Sequence, residues 1–380
     1  MHHGVRKLWR IVKGNLRNFI AFILYVTGLL YILDCLLAKL YTSYFVIFVA
    51  HRVVGDSSSS LGRAFVLSNY GMDVDAFEKR LRYILKRFHI ISLAEIVQHV
   101  RDGIQFTKRC AAITVDDGYQ ECYSILYPLF QKYHVPATLF ITTGVIDTRE
   151  TFWFDRLSKA FCNTRASFIA NDQVQIRDDI TRTQDKLGVF KTVLLRLSKL
   201  EDTQREQVVE ELCETLGGKE HKEEDVPRTL KGTLTCTILD NKEHRGERLY
   251  LTWGEINEMA QSALITIGSH SVSHSNLSKA DLESAKQEIE RSAAVIEQHI
   301  GMPVQFFAYP GGAYSSSVVE WLSTTRILGA CTSSIGVEND PYRLKRIDMA
   351  QEPFFLFAFD ISELNRRFRQ WKTRLKSAKR

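Results

Sequence analysis

The seven cysteines of this 380-residue chain contain no C-x-x-C pair and follow no regular spacing. That pattern excludes a disulfide scaffold and a thiolate zinc site, and leaves free or buried thiols. There is no internal repeat, and no low-complexity tract beyond the serine run at 57–60. Acidic residues are missing from the first sixteen positions and again from Arg366 to Arg380, whereas the chain as a whole carries a formal charge of only +6. The positive charge is therefore concentrated at the ends, and no nucleic-acid-binding module accompanies it, so a nucleic acid is not expected as a partner. No small-x-small cleavage site follows the apolar segment near the N-terminus, which argues against a removed signal peptide.

What is present begins with that segment. Arg6, Lys7, Arg10 and Lys13 precede an apolar run from Phe19 to Leu33, which Asp34 interrupts. The run falls short of the roughly 20 residues a spanning helix needs. A single span, a helix lying in the membrane interface and a core helix of the soluble domain all remain open, with contact to a cell membrane the favoured outcome. If the helix spans, its basic N-terminal flank stays cytoplasmic. At the other end, Leu364, Phe368, Trp371 and Leu375 recur at helical spacing beside eight basic residues from Arg366 to Arg380. Such a helix suits an anionic lipid surface, and a solvated tail would carry the same composition. The segments 1–42 and 363–380 are thus read as membrane-associating ends of a central domain at 43–362.

Within that domain, short apolar segments alternate with amphipathic ones. Strands are predicted at Tyr44–Ala50, Cys110–Val115, Ala137–Thr142, Ala263–Ile267 and Val304–Ala308. Helices are predicted over Asp75–Phe88, Ser124–Tyr133, Trp253–Gln261 and from a capping box at Ser278 to His299. The alternation implies a parallel β/α architecture. It lapses between about 151 and 248, a charged and mostly helical stretch that reads as an insertion or lid.

Asp116-Asp117-Gly118 closes the strand at 110–115, and strand C-terminal ends face the ligand crevice in parallel β/α folds. Adjacent carboxylates repel unless a cation or shared proton relieves them. An Asp-Gly pair is equally at home in a plain turn. His270-Ser-Val-Ser-His274 follows the strand at 263–267, and two histidines four apart on one helical turn can share a metal. Together they supply one aspartate and two histidines for a divalent cation, with a spare carboxylate to act as base.

These residues resemble the motifs of the polysaccharide deacetylases, carbohydrate esterase family four. Thr114-Val-Asp-Asp-Gly118 looks like the first motif and His270-Ser-Val-Ser-His274 like the second. Phe307-Ala-Tyr-Pro-Gly-Gly312 is similar to the third, in the form found in exopolysaccharide deacetylases. The resemblance implies a distorted (β/α)7 barrel, carrying here a helical insertion and an N-terminal hydrophobic helix, that hydrolyses N-acetyl groups of a glycan. It makes Asp117, His270 and His274 ligands of one divalent ion, probed first as Zn2+, with Fe, Co, Ni or Mn as other occupants. Asp116 becomes the base, and a backbone N–H near Tyr309, Pro310 and Gly311 stabilises the oxyanion.

Two departures stand out. Ala308 replaces an arginine that orients the base in many members, and Arg343 or Arg346 is the expected substitute. No histidine follows His299 to serve as general acid. His51, which ends the strand 44–50, resembles the early acid of permuted members, although Ala50 stands where they have tyrosine. Trp153, Phe154, Trp253 and Tyr309 are candidates to stack on sugar rings. Other readings are deformylation or deacetylation of a lipid-linked amino sugar, and a non-catalytic glycan-binding protein tethered at the membrane.

Overall fold

The computed structural model describes residues 16–40, 44–55, 64–67, 71–217, 248–333, 340–350 and 353–377. The basic residues before Leu16, the serine run and Cys236 lie outside them. The six described cysteines are free thiols.

Seven strands form the centre: β1 (Tyr44–Ala50), β2 (Arg109–Val115), β3 (Ala137–Ile141), β4 (Ile265–Ser269), β5 (Phe306–Ala308), β6 (Gly329–Cys331) and β7 (Arg346–Asp348). Their order is β6-β5-β4-β3-β2-β1-β7, and every pairing between them is parallel. A parallel bridge from Cys331 to Leu344, two residues ahead of β7, brings the open ends together. The result is a nearly closed seven-stranded barrel, as the motif resemblance implied.

The sequence explains why these strands sit inside. All seven residues of β1 and of β2 are buried, as expected when both faces of a parallel strand are covered. Alternation then sorts them. Phe45 and Ile47 cluster with Ala112, Phe140, Phe306, Ala308 and Cys331, while Val46, Phe48 and Ile113 pack among the helices. The row containing Ala112 continues through Thr114 to Asp116, which carries that carboxylate to the barrel mouth.

Several predicted boundaries shift: the strand expected from Val304 begins at Phe306, and the helix expected over Asp75–Phe88 spans Val74–Leu85. The fourth strand begins at Ile265 rather than Ala263. The helix after it begins at Leu282, capped by the Asp281 side chain, which accepts from Ser284 N–H. Ser278 instead bonds the Asn276 side chain.

At the N-terminus, the apolar run is not one helix. α1 (Leu16–Val26) and α2 (Leu29–Leu40) meet at 87°, and Gly28 at the break has φ +74°. Phe22 and Tyr25 pack edge-on against Phe355 and Phe354 of α12 (Phe354–Asp360). Between α2 and α12 in the chain lie α3 (Val74–Leu85), α4 (Leu93–Asp102), α5 (Tyr127–Tyr133), α6 (Trp153–Asn163), α7 (Thr183–Leu197), α8 (Asp202–Gly217), α9 (Trp253–Ala260), α10 (Leu282–Ile300) and α11 (Ser316–Leu322). α13 (Glu363–Ser377) follows α12.

The insertion has its own apolar cluster, built from Leu157 and Phe161 of α6, Phe190 and Val193 of α7, and Val208 and Leu212 of α8. It is less purely helical than its composition suggested. Phe168–Asn171 pairs antiparallel with Ile176–Asp179 as a hairpin. Residues 218–247 of the insertion lie outside the described set.

Candidate metal centre

Asp116 and Asp117 sit immediately past β2, and the chain turns there through left-handed backbone, with φ 79° at Asp117 and 86° at Gly118. The Asp-Gly turn and the functional carboxylate pair are thus the same feature. Left-handed aspartate is uncommon, and such strain collects at sites where geometry is over-determined.

The two histidines do converge, but not on a helix. Residues 270–275 form a loop after β4 in which Ser271 (φ 66°) and His274 (φ 59°) are both left-handed. Ser271 Oγ accepts from His274 N–H at 3.0 Å, tightening the turn that swings the second ring back beside the first. From α10, Glu288 accepts from the N–H groups of Val272 and Ser273, each at 2.9 Å. His270 Nδ1 lies 2.7 Å from Ala308 O, which makes it the donor and leaves Nε2 bare for a cation.

Asp117 Oδ1 lies 3.5 Å from Nε2 of both His270 and His274. The ligand atoms of these three residues all fall within 4.8 Å of one another, the one such group found among the described residues. That same oxygen is buried without a hydrogen-bond donor. A buried, orphaned carboxylate oxygen facing two imidazole nitrogens is a poor arrangement for an empty pocket and a good one for a divalent cation. The donor set fits the implied metal.

The spare carboxylate is fully engaged elsewhere. Arg346 Nη1 donates to Asp116 Oδ1 at 2.7 Å and Nη2 to Oδ2 at 2.6 Å, with both side chains almost completely buried. Arg346 Nε donates to Thr332 O, and Nη1 also reaches Thr114 Oγ1. Of the two arginines considered from the sequence, Arg346 meets the base, while Arg343 pairs with Asp340. Burial pushes the Asp116 carboxyl up, but Arg346, together with His270 and His51, offsets it and holds the group below the usual range. Asp117 is likewise held down against burial by the surrounding histidines. For His274 burial dominates and lowers its pKa to about 4, so the ring is neutral and able to ligate at pH 7.

His51 Nε2 lies 3.9 Å from Asp116 Oδ2, on the half-open side of the site. Tyr309 does not line the groove. It is fully buried, its hydroxyl donates to Tyr342 O at 3.0 Å and its N–H to Cys331 O, so it cannot stack on a sugar. Pro310 has no N–H, which leaves Gly311, exposed and left-handed at φ 60°, as the amide donor in that stretch. Trp253 stacks on His299 at 4.0 Å and Trp153 faces Arg205, so the remaining aromatic candidate at the site is Phe154, 5.8 Å from the His274 ring.

Several supporting residues carry no sequence signal. Phe152 sits 5.2 Å from His274. Asp155 of α6 accepts from the hydroxyls of Tyr119 and Tyr250 at 2.8 and 2.7 Å, with Arg52 at 4.0 Å. Burial raises its pKa to about 6 despite Arg52. Glu288 and Asp155 read as ordinary helix-surface acids, and only the three-dimensional path of the loops reveals their partners.

Comparison with known proteins agrees with this geometry. A family model described as polysaccharide deacetylase matches residues 103–161 and 227–327. Poly-beta-1,6-N-acetyl-D-glucosamine N-deacetylase of Staphylococcus aureus (strain N315) is 30% identical over 94 residues, 24% of this chain and 32% of the relative. The protein of the same name from Staphylococcus epidermidis is 29% identical over 115 residues, 29% of this chain and 39% of its own length. The matched region thus spans about a third of these curated relatives. IcaB from Ammonifex degensii shares the fold, with a TM-score of 0.51 at 15% identity, covering 84% of this chain and 96% of that one.

Proposed function

We propose that this chain, parts of which match the polysaccharide deacetylase family model, is a metal-dependent hydrolase removing N-acetyl groups from amino sugars of a polysaccharide. The observation that carries this reading is the pairing of two carboxylates at one strand end. Asp117 faces two imidazoles, and Asp116, clamped by Arg346, stands beside them free of that donor set.

Asp117, His270 and His274 would hold the cation, with zinc the first metal to test. When bound, it would lower the pKa of a water and polarise the acetamide carbonyl. Asp116 accepts the proton that the attacking water loses. Arg346 keeps that carboxylate ionised and aimed, because both of its oxygens are fixed by parallel N–H donors. Gly311 N–H is the candidate donor to the developing oxyanion. As the C–N bond breaks, acetate leaves with the water's oxygen, and His51 supplies the proton that the departing amine requires.

The two departures from the family pattern, which would suit a non-catalytic binder, each have a counterpart. Arg346 stands in for the arginine missing at Ala308, and His51 for the missing late histidine. An N-acetylated polymer of the poly-N-acetylglucosamine kind is the substrate class to try first, as the names of the curated relatives suggest. Contact with a membrane belongs to the same reading, since it would hold the enzyme beside a surface-bound polymer.

Elemental analysis and turnover test the proposal together. The wild-type chain is expected to hold about one equivalent of a divalent metal, and His270→Ala/His274→Ala to lose it. Asp116→Asn should retain metal yet lose on the order of 10²–10⁴-fold in deacetylation rate. A wild-type protein that takes up no metal on reconstitution would remove the mechanism.

A further inference from the structure

Asp34 falls within the most apolar stretch of the chain, yet it does not face lipid. It is 2% exposed, and its carboxylate accepts from Arg109 Nη1 at 3.0 Å and from Glu363 N–H at 2.7 Å. Arg109 is the first residue of β2 and also donates to the hydroxyl of Tyr44, the first residue of β1. The helix pair is therefore fastened to the N-terminal end of the barrel. Asp116 and Asp117 lie past the other end of β2, roughly 20 Å away at 3.3 Å per residue.

What the fastened pair turns outward is apolar. Phe19 and Val26 on α1, and Tyr31, Ile32 and Leu36 on α2, are all more than half exposed. On α13, which packs against α2, Phe368 and Trp371 are exposed as well, with ring centroids 5.9 Å apart. Single exposed apolar residues are ordinary, but a set of this size on adjoining helices marks a docking face.

The surrounding charge identifies the occupant. Arg17, Arg367 and Arg369 are each more than a third exposed beside this face, although each also pairs with buried Asp360 or Glu363. The sequence flanking it adds four basic residues before Leu16 and further ones up to Arg380, with no acid in either run. Apolar helices edged by cationic side chains match an anionic bilayer surface. Among the described residues no single helix is long and apolar enough to cross a membrane, and the two halves are bent at 87°. Crossing would also require pulling Asp34 away from Arg109.

We infer that α1, α2 and α13 form a monotopic foot that lies in an anionic leaflet, at the end of the barrel opposite the metal centre. The mouth then points away from the lipid. Resting on the deacetylase reading, this orientation selects the substrate class: a polymer strand beyond the membrane, not a sugar headgroup embedded in it.

Hydrogen–deuterium exchange of the full chain, with and without phosphatidylglycerol/phosphatidylcholine vesicles, tests both parts without needing turnover. Salt-sensitive vesicle binding is expected, with new protection at 16–38 and 363–371 and none at 116–119 or 270–275. Phe19→Glu/Ile32→Glu/Leu36→Glu should bind vesicles at least tenfold more weakly with its metal content unchanged. Protection of the 270–275 loop would overturn the orientation. Absent or undiminished vesicle binding would overturn the foot, as would a lipid-free dimer that the triple variant dissociates. Should the triple variant not fold, the wild-type footprint decides alone. These readouts leave the deacetylase reading standing if the foot fails, and the reverse.

Discussion

Arg346 illustrates how one side chain can decide the character of another. Its planar fork fixes both oxygens of Asp116, a geometry that lysine cannot reproduce. Arg346→Lys should therefore fold and bind metal but lose at least about tenfold in deacetylation rate. The acid limb of its pH–rate profile should move upward as the Asp116 carboxyl drifts back toward an ordinary value. Arg346→Met leaves a buried carboxylate uncompensated, and chemical denaturation should show a loss of about 3–5 kcal/mol. Glu288 acts one step further out, by holding the N–H groups of Val272 and Ser273. Glu288→Ala should weaken metal affinity by about 10–100-fold in a metal-competition titration, the usual cost of losing an outer-shell support.

At the scale of elements, the sequence exposed the long, wholly buried strands and concealed two of the three-residue ones. β1 and β2 announce themselves through seven consecutive buried residues each, whereas β6 and β7 have three residues apiece and no period to detect. Motif spacing picked out two histidines that the fold brings together beside Asp117 but suggested the wrong backbone, because a His-x3-His pair on a helix and one on a loop with two left-handed residues read alike. His51 and Arg346 were recoverable from their place after or at a strand. Glu288 and Asp155 were not, since their partners come from loops distant in sequence.

Asp155 gives the insertion a pH signature. Its pKa is about 6 in the folded chain against an ordinary 3.8, so the folded state holds the proton more tightly than the unfolded one. Ionisation therefore opposes folding. This contribution to stability declines as pH rises from about 4 to 6 and is flat above, by at most about 1.4 kcal/mol per pH unit. Asp155→Asn should abolish that slope relative to wild type in urea denaturation at pH 4, 5, 6 and 7.

For the whole molecule, the metal centre joins strands far apart in sequence. Asp117 follows β2, and both histidines follow β4, so a bound cation ties together the two strands that flank β3. Metal should raise the melting temperature in a concentration-dependent way, reaching about 4 kcal/mol of stabilisation at a free concentration 1,000 times Kd. His270→Ala/His274→Ala should show no such rise in calorimetry. The barrel's polarity follows from the same parallel strands: chemistry collects at their C-terminal ends and Asp34 is held at their beginnings.

Phe152 N–H donates to the Tyr250 hydroxyl at 3.1 Å, and Tyr250 bridges to Tyr119 across the same corner. The chain therefore leaves the barrel for its long excursion and comes back at one spot. A detour whose two feet already touch puts no tension on the ring it departs from, and lengthening it adds only a logarithmic entropic cost. This corner is accordingly a natural grafting point. Segments of different length can be exchanged beyond α6 while Asp155 keeps its two tyrosines, which would let the surface above the metal centre diversify without renegotiating the barrel beneath it.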